Sequence, residues 1–319
     1  MTAVQNIRAG EISGKSHRTA AKRRNKLYKY KDIYIMLIPI CLYYIIYKYI
    51  PMFGNMIAFQ DYSITRGILD SEFVGLKHFK SFLNDVYFFR LLKNTLSINI
   101  YGLLLDFPAP IILALLLNEV RNAGFKRSVQ TITYMPHFIS TVIVSGMVLD
   151  FVAGDGMINS ILGAFGIAPI SFTTEAKYFY GIYTISGIWQ SMGWGSIIYL
   201  SALAGIDMGL YEAASIDGAS RWRQTLTITL PCLLPTISIM LITRIGQMLS
   251  VGYEKILLLY NPALYERADV ISTYVYRKGI LGAEYSYSAA VDFFNSIINF
   301  ILLLFSNSIS KKLTGNGLF

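Results

Sequence analysis

An all-α protein that crosses a membrane six times is the fold class the sequence predicts. Three observations carry that prediction. Apolar stretches of about twenty residues recur along the chain, long enough to cross a hydrocarbon core as helices. Only 15% of residues are charged while 54% are hydrophobic, and the mean hydropathy is +0.47, values foreign to a soluble domain. Lys and Arg also crowd the connections on one side of those stretches.

The elements follow in order. Residues 1–31 form a basic arm, with nine Lys/Arg against one acid, Glu11. Directly before an apolar span, such an arm reads as a topology signal that meets anionic lipid, not nucleic acid. It is too long for the charged n-region of a signal peptide and no small-residue cleavage site follows the first span, which is expected to stay as an anchor. The rest of the chain, 32–319, reads as one transmembrane domain. Its spans fall at about 33–57, 91–118, 129–153, 181–204, 236–258 and 287–306. Pro51, Pro108, Pro110 and Pro136 lie in or near them and predict kinks. With the N-terminus inside, the inner segments carry about twice as many Lys and Arg as the outer ones, which puts both termini in the cytoplasm. Residues 58–90, outside, are long enough for small helices. Cys41 and Cys232 make no disulfide framework or metal site and read as packing residues.

Between spans four and five comes "LYEAASIDGASRWR". Leu210–Ile216 reads as a short helix with a slim surface of Ala213, Ala214 and Ser215. Asp217-Gly218 is a turn, because glycine enters the left-handed region without steric cost. Asp217 or Ser220 then caps a second helix that Pro231 closes. On physics alone this is either a plug for a groove in a cytoplasmic partner or an interfacial loop with Trp222 among headgroups.

The residues Glu212-Ala213-Ala214, Asp217-Gly218-Ala219 and Leu230-Pro231, with Pro235 beyond, resemble the EAA signature of binding-protein-dependent ABC importer permeases. Thr225-Leu226 stand where that family often has Phe. "YKYIPMFGNMIAFQDY", "FVGLKHFKSFL", "NTLSINIYGLLLDFPAPIILALLLNEV" and "YMPHFISTVIVSGMV" are similar to oligosaccharide permeases of the maltose-transporter class, and within it to importers of fragments of alginate or pectin. The arm lies outside the resemblance. It implies the type I ABC importer permease fold in a bacterial inner membrane. It also implies a second, similar permease, two cytoplasmic ATPase subunits docked on an EAA coupling loop at about 205–235, an extracytoplasmic solute-binding protein and an oligosaccharide substrate. The coupling residues would be Glu212, Ala213, Ala214, Asp217, Gly218, Ala219, Leu230 and Pro231. No cofactor is expected on this chain; ATP and Mg belong to the partner ATPase.

The rest of the sequence offers little catalysis. "AGEISGKS" (residues 9–16) misses the phosphate-loop pattern, since Gly10 stands one residue too close to Gly14. His17, His78 and His137 share no metal-ligand spacing. Substrate-path candidates are Trp189, Gln190, Trp194 and Tyr253, by the way aromatic faces meet sugar rings, each also readable as core packing. Asp292 joins them because related permeases often have Gly there. Arg244, about two turns into the fifth span from the inside, either attracts an anionic sugar or pairs with an acid on another subunit. Asp106, at mid-span, reads as a hydrogen-bonding group at a kink or a proton relay. Glu254-Lys255 reads as solvated. The rival class, an ion-coupled secondary transporter, expects inverted repeats and paired intramembrane ionisable groups; Asp106 alone does not supply them.

Overall fold

The computed structural model describes residues 30–314, 317 and 318. The arm therefore lies outside the described residues but for Tyr30 and Lys31, as do "AGEISGKS" and His17. The chain divides into two units, residues 1–56 and 57–319.

Helix α1 starts at Lys31 in the first unit and its span runs to Phe59, past the unit boundary, with apolar side chains exposed along it. Cys41 is exposed, not packed. In the second unit, two short strands, β1 (Gln60–Asp61) and β2 (Glu72–Phe73), pair antiparallel in the register Gln60↔Phe73. Helix α2 (Lys77–Leu83) follows, where small helices were expected. Then come α3 (Phe88–Glu119), α4 (Ala123–Phe138), α5 (Thr141–Phe151), α6 (Met157–Ala164), α7 (Ala176–Ala204), α8 (Met208–Ile216), α9 (Arg221–Ile245), α10 (Tyr253–Leu259), α11 (Ile271–Val275) and α12 (Tyr285–Thr314). Among the described residues, α1, α3, α9 and α12 are each long and apolar enough to span a membrane. The pairs α4–α5 and α7–α8, bent by 102° and 70°, bring the number to six.

Two spans differ from expectation. The third is broken: Pro136 sits in a 3-10 turn (Met135–Phe138), the chain extends at Ile139, and Ser140 starts α5 by accepting from the Ile143 N–H. The fifth begins about fifteen residues earlier than expected, at Arg221, because Pro231 does not close the helix. A proline removes an N–H and its ring crowds the carbonyl four residues back. Here the chain first widens into a π turn, Thr225–Thr229, and the Leu230 N–H reaches back to the Thr225 carbonyl. The same arrangement precedes Pro108 (π turn Gly102–Asp106) and, in the first unit, Pro51 (Ile45–Tyr49). Local widening satisfies the backbone where no water can. Cys232, beside Pro231, is exposed on α9. The helix ends at Gly246, where an added Cβ would collide with Leu303 of α12. Asn299 of α12 then accepts from the freed Leu249 N–H at 2.9 Å.

Helix α7 lies at the centre, against α3, α4, α5 and α9. In lipid, helices gain little from hiding apolar surface, so close backbone approach must bind them. Gly193 supplies it: any Cβ there would overlap the Thr133 backbone of α4. Tyr199 and Leu203 pack with Ala114 and Leu233 at the α8 end, and Phe179 and Tyr180 with Ile98, Val251 and Ile256 at the other.

That other end is pinned by a polar network the sequence did not disclose. Asp269 is fully buried, and Arg277 grips both its oxygens at 2.8 Å. Arg90 lies at 3.5 Å, and Thr273 donates to it at 2.9 Å. Asn94 of α3 donates to the Asp269 carbonyl, and Tyr180 of α7 donates to Asn94. Nearby, Asp85 accepts from the hydroxyls of Tyr274 and Tyr287 at 2.6 and 2.8 Å and from the Tyr87 N–H.

Two outcomes follow. Asp269→Ala leaves two partly exposed guanidinium groups without their buried anion and should cost about 2 kcal/mol, less than a fully buried pair because water reaches both arginines, read as a lowered unfolding midpoint in detergent. For Asp85, burial alone would raise the pKa, but the hydroxyl of Tyr274, the Tyr87 N–H and the hydroxyl of Tyr287 outweigh it and hold the carboxyl below its ordinary 3.8. Tyr274 is pushed up to about 12 by burial and by its bond to Asp85. A lowered acid stabilises fully above its unfolded value and loses this as pH falls through the folded one; a raised phenol stabilises fully below 10.0 and loses this as pH rises towards about 12. Stability should therefore fall away below about pH 4 and above about pH 10, and Asp85→Asn should flatten the acid limb of a melting-temperature profile.

Candidate functional site

The segment with the EAA signature folds as a helix–turn–helix. Asp207 starts α8 by accepting from the Gly209 N–H at 2.9 Å. The helix closes with paired C-terminal bonds: Gly218 N–H to the Ser215 carbonyl at 3.1 Å and Ala219 N–H to the Ala214 carbonyl at 2.9 Å. This cap puts one residue in the left-handed region, and Gly218 has φ +74° with open space where a Cβ would stand. Of the two capping candidates it is Ser220, not Asp217, that accepts from the Arg223 N–H and begins α9. Gln224 then donates back to Ser215 and to the Ala219 carbonyl, both at 3.0 Å, and Tyr211 meets the Thr229 hydroxyl at 2.9 Å. The knuckle is thus rigidly joined to α9. Arg221 ties it to Glu119 at the end of α3, at 3.0 Å.

Its outer surface is open. Glu212, Ala213, Asp217 and Gly218 are exposed, with Ile216 at 87% and Trp222 at 72%, while Ala214 and Ala219 are half-buried. Leu230 and Pro231 lie within α9, beyond the π turn.

The path candidates separate into three places. Tyr253 and Asp292 come together in a cavity of about 420 Å³, with Ser272, Tyr276, Tyr285 and Ser288. Tyr253 stacks on Tyr276, with ring centroids 5.4 Å apart. Flat aromatic faces, hydroxyls and one carboxylate suit a polyhydroxylated ring. Trp189 lies elsewhere, in an almost wholly apolar cavity of about 400 Å³ with Val144, Phe151, Phe172 and Ile185. Gln190 donates to the Ile139 carbonyl at 3.3 Å, across the break between α4 and α5. Trp194 has a face covered by His137, stacked at 4.7 Å, so these two pack against each other.

The third place was missed. Arg244 is in the last turn of α9, not two turns from its start, and lies 3.4 Å from Asp106 of the same chain. They line a polar cavity of about 130 Å³. Lys255 is half-buried, not solvated, and donates to the Tyr183 carbonyl at 3.3 Å. Both charges were visible in the sequence; their meeting, 138 residues apart, was not.

Comparison with known proteins agrees with this architecture. Residues 106–313 match the family described as binding-protein-dependent transport system inner membrane component. The chain is 46% identical to Protein LplB of Bacillus subtilis, over 91% of each. It is 44% identical to the polygalacturonan/rhamnogalacturonan transport system permease protein YteP of the same organism, over 92% of each. It also superposes on a chain of a bacterial alginate ABC transporter solved in complex with an alginate pentasaccharide-bound periplasmic protein. The TM-score is 0.85, the identity 41%, and the match covers 92% of this chain and 99% of that one. The type I ABC importer permease fold, the spans and the EAA-bearing knuckle thus coincide in one assignment: the chain belongs to the binding-protein-dependent transport system inner membrane component family, as a multi-pass, non-catalytic permease subunit.

Proposed function

We propose that this permease imports oligosaccharides cut from acidic polysaccharides, of the alginate or pectin kind, with ATP and Mg held by a separate ATPase. The likeness to the polygalacturonan/rhamnogalacturonan permease and to the alginate transporter supports the substrate class. In this reading a second, similar permease completes the pathway, an extracytoplasmic binding protein delivers the sugar, and two ATPase subunits dock on the paired knuckles. The chain sits in a bacterial inner membrane with both termini in the cytoplasm.

The observation that carries the reading is the exposed knuckle fused to α9. The ATPase groove receives Ala213, Ala214 and Ala219, whose small side chains let another backbone come close. Glu212 and Asp217 offer it charge, and Gly218 sets the turn. Its movement passes into α9, whose last turn carries Arg244 into the cavity it shares with Asp106; the sugar rings stack in the Tyr253–Asp292 cavity, where Asp292 accepts from hydroxyls.

Glu212→Ala should reduce co-purification of the ATPase about tenfold, the effect of losing one interface contact of about 1.4 kcal/mol. Gly218→Val adds about 1 kcal/mol or more of backbone strain at the turn and should do the same with little change in span stability. ATPase recovery equal to wild type in both variants would remove the docking role. On the substrate side, Tyr253→Ala should lower uptake of a galacturonate trimer by about three- to tenfold, the worth of one aromatic contact. Binding of neutral but not uronate-containing oligosaccharides by the cognate binding protein would remove the acidic-substrate assignment.

A further inference from the structure

The cavity of about 130 Å³ between α3, α7 and α9 is lined by one acid and one base, with a second base beyond its wall. Asp106 is its one carboxylate. Arg244 lines it, and Lys255 stands just behind, its Nζ 3.3 Å from the Tyr183 carbonyl and 5.0 Å from the Tyr183 ring centroid. Two cations thus attend one anion beside the spans α3, α7 and α9, where an unmatched charge is costly.

The pairing inside is also loose. Arg244 offers Asp106 a single contact at 3.4 Å instead of the two-pronged grip that Arg277 makes on Asp269. The other Asp106 oxygen already accepts from Ser191 at 3.2 Å. The guanidinium reaches the cavity because residue 102 is glycine: a Cβ there would stand 2.6 Å from its Nη2. Thr184 lines the same space, is 4% exposed, and its Oγ1 has no hydrogen-bond partner among the described residues. A purely structural pair would need neither the surplus cation nor the unfilled donors.

We propose that this cavity is a carboxylate subsite of the translocation path. It rests on the acidic-oligosaccharide reading and adds the place where the charge is read. A passing uronate carboxylate takes the bidentate position on Arg244, Lys255 supplies the second positive charge, and Thr184 donates its hydroxyl. Between passages Asp106 occupies Arg244 and keeps the cation satisfied. The space equals about four water molecules, enough for a carboxylate group and not for a sugar chain, so one acid group is read at a time.

The test is uptake of a labelled galacturonate trimer by the full complex in liposomes, with its binding protein and ATP, as a function of loaded binding protein. Arg244→Gln and Lys255→Gln should each cut uptake at low loading about tenfold, the weight of a charge-assisted hydrogen bond. Arg244→Lys, which keeps the charge, should recover most of it. Asp106→Asn should act in the opposite direction, lowering the half-saturating level because the internal competitor is gone. That opposition is the signature, since a structural brace loses equally from either side. Equal losses in Arg244→Gln and Asp106→Asn, with matching falls in melting temperature, would overturn the subsite while leaving the importer intact. If Arg244→Gln fails to assemble, the sign of the Asp106→Asn change decides. A complex that carries neutral galactose trimer and not the uronate would overturn the substrate reading itself, and the subsite with it.

Discussion

The continuity of α9 through Pro231 is the constraint on which the rest of the structure depends. A proline at that point of an ordinary helix breaks the hydrogen-bond ladder. Here the preceding π turn takes up the mismatch, and Arg221–Ile245 remains one body from the EAA knuckle to the cavity that Arg244 lines. Had the helix stopped at Pro231, a push on the knuckle would be absorbed by a joint. Packed helices shift as rigid bodies, so an uninterrupted one carries displacement along its length. The cap around Gly218 and the Gln224 bonds make the knuckle itself part of that body.

The opposite end is built for stillness. Asp269, Arg277, Arg90, Asn94 and Tyr180 join α3, α7 and the 260–281 segment through buried charge. A buried ion cluster is a poor source of net stability, but it tolerates no alternative arrangement because any stranded member is expensive. The cavity lined by Asp106 and Arg244 lies where α3 and α7 of this frame meet the last turn of α9. The difference in the two ion pairs, bidentate at Asp269 and single at Asp106, follows the same division.

Much of this was legible in the residues. Apolar length gave the six crossings, and Asp-Gly between two short helical patterns gave the knuckle, down to the left-handed glycine. The misreadings have two causes. Pro136 and Pro231 look alike locally, yet one accompanies a broken helix and the other follows a π turn in an unbroken one. The neighbouring residues do not announce which, because the outcome depends on what packs against the backbone. Arg244 and Asp106 illustrate the second limit: each was a costly intramembrane charge, but pairing across 138 residues is set by how α3 and α9 cross. Gln190 and Trp194 have tertiary partners that the sequence does not show, the Ile139 carbonyl and the His137 ring.

The central claim is that a cytosolic motor drives this helix from the knuckle, so the knuckle must lie in the cytoplasm. The direct measurement replaces Cys41 and Cys232 with Ala, introduces Ile216→Cys at the most exposed point of the turn, and adds a membrane-impermeant maleimide. The account predicts no labelling in intact cells and full labelling once the membrane is opened. Labelling from outside intact cells would contradict it.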